Sequence, residues 1–333
     1  MKLGTIRFGG DAVLIARLSD TEAVQLSDAY AAAGLGPAPS SMRELVRGGR
    51  AELDKAGRAV DAALGGQVTR IALDGADWEP PITDPSKVIG VAMNNKGIRK
   101  EAHKEPSVPS YFLKPPSCLL GHNKKVVVLE NYGETIPELE LAAVIGRRGK
   151  NIPVAEALDY VFGYSIVNDI TSHGIKFGMD SLATTRAPHL TRPHHFEWRN
   201  RHGPDDNDIY FVYHTRSKGS DTFGPMGPWI TTADEVADPN ALEVSGTFDG
   251  EPFAIDSTSN FRFRVQEVIA DASEWFTLEP GDVICFGTTA KGVGKYPDGH
   301  RGINMHRMKG EIGISIQGLG TLTHGIAHSW DEA

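Results

Sequence analysis

Short apolar segments dominate the chain beyond residue 87, and glycines and prolines separate them. This strand-length pattern is typical of β-structure. The segments are VIGVAM, KVVVLE, LELAAVIG, YVFGYSIVNDI, IYFVYH, ALEVSGTFDG, DVICFG and GEIGISIQGLGTLTH. Only VAEALD and FRVQEVIADASEWF favour helices in this part of the chain. Such a density of strands predicts a mainly β domain, built as a sandwich or a rolled barrel.

The first 76 residues follow a different pattern. LGTIRF and AVLIARL predict two strands around a glycine turn, and VTRIALDG predicts a further strand. Between them, SSMRELVRGGRAELDKAGRAVDAAL predicts a helix that begins after Ser40 or Ser41. The proline-rich stretch DWEPPITDPSK is the best linker. We therefore expect an α+β, mainly β protein with a small N-terminal α/β domain and linker over residues 1–84 and a larger domain over residues 85–333.

Composition and charge narrow the class of protein. The chain has 333 residues, 40% apolar and 23% charged, as in an ordinary globular protein. A net charge of -9 with scattered lysines and arginines predicts no nucleic-acid partner. No run approaches the roughly 18 apolar residues of a membrane span. The N-terminus also lacks the apolar core of a signal peptide. We therefore expect a cytoplasmic protein that binds neither nucleic acid nor membrane.

Two glutamates interrupt the apolar segment IPELELAAVIG. In a strand, alternate residues share a face, so Glu138 and Glu140 lie side by side on the face of Ala142 and Val144. Two buried carboxylates at about 7 Å raise each other's pKa unless a cation lies between them. Either the two acids share a cation, or the first half of this strand is exposed to solvent.

A third carboxylate, Asp169, ends the apolar strand before NDIT. Three carboxylates without soft ligands suit a hard divalent cation such as Mg²⁺, Mn²⁺ or Ca²⁺, although Asp169 alone is equally consistent with a turn. Further on, KGSDTFGPMGPWI places Lys218 on a turn rich in glycine and proline, and LEPGDVICFGTTAKGVG ends in a glycine-rich loop. Such a loop can bind a carboxylate or a phosphate through its N–H groups.

In this order, these segments resemble the fumarylacetoacetate hydrolase superfamily. The matching features are the Glu-x-Glu strand, Asp169, Lys218 in KGSDTFGPMGPW and Thr288 in PGDVICFGTTAKGVG, preceded by VIGVAMNN and PSYFLKPPSCLLG. The resemblance covers residues 88 to about 320. The first 76 residues fit the small variable N-terminal domain of that family.

The resemblance implies a mixed β-sandwich roll, usually a homodimer, that acts on small oxo acids. It implies that Mg²⁺, or Mn²⁺ or Ca²⁺, binds a 1,2- or 1,3-dicarbonyl substrate and stabilises its enolate. Glu138, Glu140 and Asp169 would be the metal ligands. Lys218 would take part in catalysis, and the substrate would be bound by Lys176, Thr288 and Lys114.

The family's water-activating histidine is missing, because Ile98 stands at its position in MNNKGIRKEAHKEP. His103 lies nearby, flanked by Glu101 and Glu105, and a shifted lid could present it to the site. We therefore expect His103 to act as the general base, with Glu101 or Glu105 as its partner.

Two further departures concern the substrate. Lys176 and His173 replace a glutamine and an arginine that are common in the family, and the irregular stretch 187–208 is long enough to form a lid. Both suggest a substrate unlike that of the best-known members.

Three functions follow from these features. The leading prediction is a catabolic, metal-dependent hydrolase of a carbon–carbon bond in a β-diketo or acylpyruvate-like acid. The alternative is a lyase or isomerase of a 2-oxo acid (a decarboxylase, a sugar-acid dehydratase or a tautomerase), which needs no water-activating histidine. A non-catalytic binding protein is the third, and the cost of burying three acids without a cation argues against it.

Overall fold

The computed structural model describes residues 1–66, 68–97, 107–185, 208–287 and 291–331. Two β-sheets dominate these residues. Among them, no helix combines the length and the apolar character needed to cross a bilayer.

Most of the strands follow the apolar segments of the sequence. In chain order the strands are β1 (Lys2–Phe8), β2 (Asp11–Arg17), β3 (Glu22–Gln25), β4 (Arg70–Ala72), β5 (Asp77–Glu79), β6 (Val88–Ala92), β7 (Ser110–Lys114), β8 (Leu119–Leu120), β9 (Lys125–Val128), β10 (Thr135–Ile136), β11 (Leu139–Ile145), β12 (Val161–Asn168), β13 (Thr171–Ser172), β14 (Ser181–Thr185), β15 (Asp208–Val212), β16 (Gly224–Thr232), β17 (Glu243–Phe248), β18 (Glu251–Ser257), β19 (Val283–Cys285), β20 (Lys291–Gly292), β21 (Glu311–Ile316) and β22 (Gly320–His328). The prediction of a turn over KGSDTFGPMGPWI was wrong, because Gly224–Thr232 is a buried strand and Lys218 lies on the short helix Thr215–Gly219.

The larger sheet has the order β4-β3-β2-β1-β16-β12-β11-β19-β6-β7, with β5 paired to β1 and β8 to β16. The smaller sheet has the order β20-β18-β17-β21-β22-β9, and β10-β13 and β14-β15 form two short ladders. Because β1 pairs antiparallel with β16, the N-terminal strands extend the larger sheet. The sheet therefore runs across residue 84, and the domain boundary placed there stays a prediction.

The two sheets enclose the main hydrophobic core. Leu139 and Leu141 of β11 pack in it with Phe253 of β18 and Ile314 of β21. Removing this apolar surface from water is the main favourable contribution to folding. The predicted sandwich of mixed sheets is confirmed.

The three N-terminal helices cover the opposite face of the larger sheet, whereas the last helix packs in the main core. The α-helices of the described residues are α1 (Leu26–Ala32), α2 (Met42–Arg47), α3 (Gly49–Gly65), α4 (His173–Gly178), α5 (Thr215–Gly219) and α6 (Val265–Trp275). Tyr30 of α1 and Leu45 of α2 share a second hydrophobic core with Ala142 and Val144 of β11. The larger sheet is thus buried on both faces around β11.

The helix predicted to begin after Ser40 or Ser41 is two helices. Ser41 is the N-cap of α2, and its hydroxyl accepts the amide of Glu44 at 3.2 Å. Gly49 then takes a φ of 61°, a left-handed conformation that ends α2 and that glycine adopts without strain. The prediction of one continuous helix was therefore wrong at this glycine pair.

Candidate metal centre and active site

The two glutamates lie where β11 begins. Glu138 immediately precedes the strand, and Glu140 is its second residue. Leu139 packs in the core between the sheets and Ala142 packs beneath the helices, as the alternation predicted. Glu140 is 1% exposed, which excludes the solvent-exposed alternative for this residue.

Strand pairing brings Asp169 to the glutamates. β11 and β12 are antiparallel with Leu139 opposite Asn168, so the start of one strand lies beside the end of the other. The amide of Asp169 donates to the carbonyl oxygen of Glu138 at 2.9 Å. As a result, one carboxylate oxygen from each of Glu138, Glu140 and Asp169 lies within 4.8 Å of the other two. All three donors are hard oxygens, which fits one divalent cation.

A buried hydrogen-bond chain supports this junction. The amide of Glu138 donates to Asn168 Oδ1 at 2.7 Å, and Asn168 Nδ2 lies 2.7 Å from His324 Nε2. Because Asn168 Oδ1 is the acceptor, its Nδ2 donates and His324 Nε2 accepts. The imidazole proton is then on Nδ1, 3.2 Å from the carbonyl oxygen of Gly325. Burial lowers the pKa of His324 to about 4, so this imidazole is neutral.

Replacing His324 with glutamine is expected to flatten the pH dependence of stability. Between pH 6.5 and about 4 the unfolded chain binds a proton at His324 and the native protein does not, so the free energy of unfolding falls as the pH falls. This residue accounts for a loss of about 3 kcal/mol by pH 4. His324→Gln keeps an acceptor for Asn168, and urea unfolding at several pH values measures the difference. Parallel pH profiles for the two proteins would contradict the expectation.

Two buried lysines bind Asp169 from opposite sides. Lys114 Nζ lies 2.5 Å from Asp169 Oδ1 and 2.9 Å from the carbonyl oxygen of Phe223. Lys218 Nζ lies 2.5 Å from Asp169 Oδ2 and 3.2 Å from Glu138 Oε2. Both ammonium groups therefore face the carboxylates, with Lys218 shared between two of them.

The charges of this cluster do not balance. Burial raises the pKa of Asp169, but Lys114 and Lys218 outweigh burial and hold it below its usual value. Burial, Asp169 and Glu138 raise the pKa of Glu140 well above its usual value. Two lysines thus face three acids, and Glu140 is the acid left without sufficient positive charge. A divalent cation would supply that charge, so these residues fit the metal.

Thr171 forms hydrogen bonds with both Glu138 and Lys218, and the sequence analysis did not identify this residue. Its Oγ1 lies 2.8 Å from Glu138 Oε1 and 2.7 Å from Lys218 Nζ. The hydroxyl can accept from the ammonium group while donating to the carboxylate. The only sequence feature that could have indicated a role for Thr171 was its position two residues after Asp169 in NDIT.

The short helix α5 positions Lys218 next to Glu138 and Asp169. Asp180 Oδ2 accepts the amides of Arg216 and Ser217 at 2.9 and 2.7 Å, which satisfies free N–H groups in the first turn of α5. His214 precedes this helix in a left-handed conformation, with φ 55°. Burial lowers the pKa of His214 to about 4. Sequence reasoning missed His214, although it lies one helical turn before Lys218.

The remaining predicted residues fall into two groups. Lys176 lies on α4, half-buried, where burial lowers its pKa and Glu138 is the acid that raises it most. The other group lies outside the described residues, so its predicted roles stay predictions: Glu101, His103, Glu105, Thr288 and most of the 187–208 stretch. The role of Lys114 in binding substrate also stays a prediction.

A comparison with family models matches residues 87–327 to the C-terminal domain of fumarylacetoacetate (FAA) hydrolase. The chain belongs to the fumarylacetoacetate hydrolase family. The carboxylate cluster and Lys218 lie within this matched part, whereas the N-terminal strands β1 to β5 of the larger sheet precede it. The family that the motifs indicated is therefore confirmed.

Two relatives show how much of the chain is shared with other proteins. An uncharacterized protein of Pyrococcus abyssi is 35% identical over 239 residues, which are 72% of this chain and 88% of that protein. The maleylpyruvate hydrolase of Sphingobium sp. SYK-6, solved with manganese(II) and pyruvate, is 26% identical with a TM-score of 0.69. That match covers 98% of this chain and 99% of the Sphingobium protein.

A third protein supports the fold alone. The fumarylacetoacetate hydrolase of Exiguobacterium antarcticum is 23% identical, with a TM-score of 0.68, and the match covers 98% of this chain and 99% of that one. The architecture of the fumarylacetoacetate hydrolase family thus extends over nearly the whole chain.

Proposed function

We propose that this member of the fumarylacetoacetate hydrolase family is a metal-dependent hydrolase that cleaves a carbon–carbon bond in a small acylpyruvate-like β-diketo acid. The observation that carries the proposal is the set of three carboxylates within 4.8 Å, Glu138, Glu140 and Asp169, beside the buried Lys218. The likeness to a maleylpyruvate hydrolase solved with manganese(II) and pyruvate supports it.

Glu138, Glu140 and Asp169 would hold the cation, for which we propose Mg²⁺, with Mn²⁺ or Ca²⁺ as alternatives. A divalent cation held in this way is a Lewis acid for a chelating dicarbonyl. Asp169 is kept ionised by Lys114 and Lys218, so it is ready to bind without losing a proton. The hydrogen bond from the amide of Gly287 to Glu140 Oε2, at 3.0 Å, fixes the orientation of the second glutamate.

Lys218 would stabilise the negative charge that develops on the substrate. Asp169 and Glu138 outweigh the effect of burial and raise its pKa, so it stays protonated and presents a fixed positive charge. A preorganised charge in a buried site costs no reorganisation during the reaction. Lys176 and Thr288 would bind the carboxylate or enolate oxygens.

In the reaction, water adds to the acyl carbon and the bond to the pyruvate methylene breaks. The electron pair leaves on the pyruvate enolate, which takes up a proton to give pyruvate, and the other product is the acid of the acyl group. His103, with Glu101 or Glu105, would accept the proton of the water. We further propose that the enzyme acts in catabolism in the cytoplasm, as a homodimer.

A lyase or isomerase of a 2-oxo acid is the second candidate. The observation that favours it is Ile98, which stands where the family has its water-activating histidine. Decarboxylation, dehydration and tautomerisation need no activated water, so the carboxylate cluster and Lys218 would suffice for them.

Product analysis separates the two candidates. The protein is stripped of metal with chelator, reloaded with Mg²⁺ or Mn²⁺, and offered acylpyruvates, oxaloacetate and 2-keto-3-deoxy sugar acids. We expect pyruvate and a second acid in equal amounts from an acylpyruvate, and loss of this activity in His103→Ala. If CO₂ or water is released from a probe and no acylpyruvate yields pyruvate, the lyase would become the proposed function in place of the hydrolase.

A further inference from the structure

Glu138 lies at the junction between β10 and β11, outside both strands. Its backbone is held by Asn168, the last residue of β12, and by Asp169, which follows it. The amide of Glu138 donates to Asn168 Oδ1 at 2.7 Å, and the carbonyl oxygen of Glu138 accepts the amide of Asp169 at 2.9 Å. The position of this acid therefore depends on one neighbouring side chain as well as on backbone pairing.

The side-chain amide of Asn168 has one orientation that satisfies its surroundings. A backbone N–H can only donate, so Asn168 Oδ1 must face Glu138 and Nδ2 must face His324 Nε2, at 2.7 Å. Asn168 and His324 are both fully buried, so water does not replace either bond. If the amide were reversed, Nδ2 would meet the N–H of Glu138, and the two donors would both be left buried and unsatisfied at a high cost.

His324 selects this orientation of Asn168, because its Nε2 is an acceptor. The other ring nitrogen, Nδ1, lies 3.2 Å from the carbonyl oxygen of Gly325, which can only accept, so the imidazole proton is held on Nδ1. His324 is carried by β22 of the smaller sheet, whereas Asn168 is carried by β12 of the larger sheet. The hydrogen-bond chain thus ties the backbone of Glu138 to the opposite sheet.

A shift of this backbone would separate the carboxylate of Glu138 from the other two acids. One oxygen of each acid lies within 4.8 Å of the others, and a hard cation binds its oxygen ligands at short, defined distances. Lys218 and Thr171 hold the carboxylate end of Glu138. Asn168 holds the amide at the other end of the same residue, so the two sets of contacts are complementary.

We propose that Asn168 and His324 are positioning residues of the metal centre, which raise its affinity for a divalent cation by holding the backbone of Glu138 without supplying a ligand. This inference rests on the proposed function for the identity of the metal centre. Loss of a partner behind a metal ligand typically lowers metal affinity roughly 10- to 100-fold. Removing the acceptor at residue 324 should therefore weaken cation binding although all three carboxylates remain.

Titration of chelator-stripped protein with Mn²⁺ alone, followed by the electron paramagnetic resonance signal of the free ion, measures this affinity without turnover. We expect His324→Leu, which removes the acceptor, to bind Mn²⁺ about tenfold or more weakly than wild type. His324→Gln should bind within about twofold of wild type, because its Oε1 can accept from Asn168 Nδ2.

His328→Leu is the matched control for His324→Leu. His328 is a buried histidine of the same strand, but its Nε2 lies 2.8 Å from the carbonyl oxygen of Met305. This variant loses a buried hydrogen bond of similar length and should keep the wild-type affinity for Mn²⁺. An equal loss of affinity in both leucine variants, equal affinities in His324→Leu and wild type, or a His324→Gln as weak as His324→Leu would overturn the inference.

A long-range ¹H–¹⁵N spectrum of the histidine rings in metal-free wild type tests the orientation of Asn168 without any variant. We expect His324 to be the Nδ1–H tautomer at neutral pH. An Nε2–H tautomer would overturn the inference, because Asn168 would then turn its oxygen to His324 and its NH₂ group to Glu138.

The outcomes distinguish this inference from the proposed function. Mn²⁺ binding that depends on residue 324, in a protein that cleaves no acylpyruvate, would leave the positioning role standing and reject the hydrolase. A wild-type protein that binds no Mn²⁺ would reject the metal centre and the positioning role together.

Discussion

Replacing Asp169 with asparagine is expected to lower the free energy of unfolding by about 3–5 kcal/mol, the cost of breaking a buried ion pair. Its two carboxylate oxygens each lie 2.5 Å from a lysine, Oδ1 from Lys114 and Oδ2 from Lys218. The amide of Asp169→Asn leaves both ammonium groups buried with one anion fewer. Urea unfolding followed by circular dichroism measures the loss in metal-free protein.

Asp331→Asn is the matched control for this prediction. Asp331 Oδ1 also lies 2.5 Å from a lysine, Lys309, but at the surface, where both side chains are hydrated. Exposed pairs contribute little to stability, so this variant should unfold as wild type does. A similar change in both variants would mean that the burial of Asp169 is not what makes its lysine contacts important.

Replacing Glu140 with glutamine is expected to have opposite effects on stability and function. Glu140 is completely buried, and burial together with Asp169 and Glu138 raises its pKa well above the usual value. In chelator, Glu140→Gln should therefore be at least as stable as wild type, because a buried and poorly compensated acid is gone. Activity should fall about 100-fold or more, since a ligand of the proposed cation is lost.

Thermal unfolding with and without Mn²⁺ gives the decisive comparison for Glu140. Mn²⁺ should raise the Tm of wild type, because it binds only the native state, and should leave that of Glu140→Gln nearly unchanged. Glu156→Gln, an exposed glutamate of the 3-10 helix Val154–Tyr160, should respond to Mn²⁺ as wild type does. An equal rise in wild type and Glu140→Gln would remove Glu140 from the metal centre.

Local patterns were sufficient for most of the strands and for the side of β11 on which the glutamates lie, but not for β16, whose glycines and prolines predicted a turn. The alternation in LELAAVI has the period of a strand, and that period depends only on backbone geometry. The position of Ser41 before a helical pattern likewise fixed the start of α2. The break at Gly49 was harder to predict, because a glycine inside a helical pattern is tolerated at a modest cost and need not end the helix.

The residues that contact or support Glu138 and Asp169 could not be predicted from such local patterns. Lys114 was predicted to bind substrate, and its contact with Asp169, 55 residues away, was not foreseen. His324 lies 156 residues from Asn168 and carries no spacing signal, yet it completes the hydrogen-bond chain behind Glu138.

The sequence by itself determined the family, the mainly β architecture and the three carboxylates, because these depend on local periodicity and on short ordered motifs. Only the tertiary structure decided which lysines neutralise Asp169 and why Glu140 lacks positive charge. The energies of buried charges depend on distances through space and on exclusion of water. Both are set by how the strands pair and the sheets pack, and neither can be predicted from any one segment of the chain.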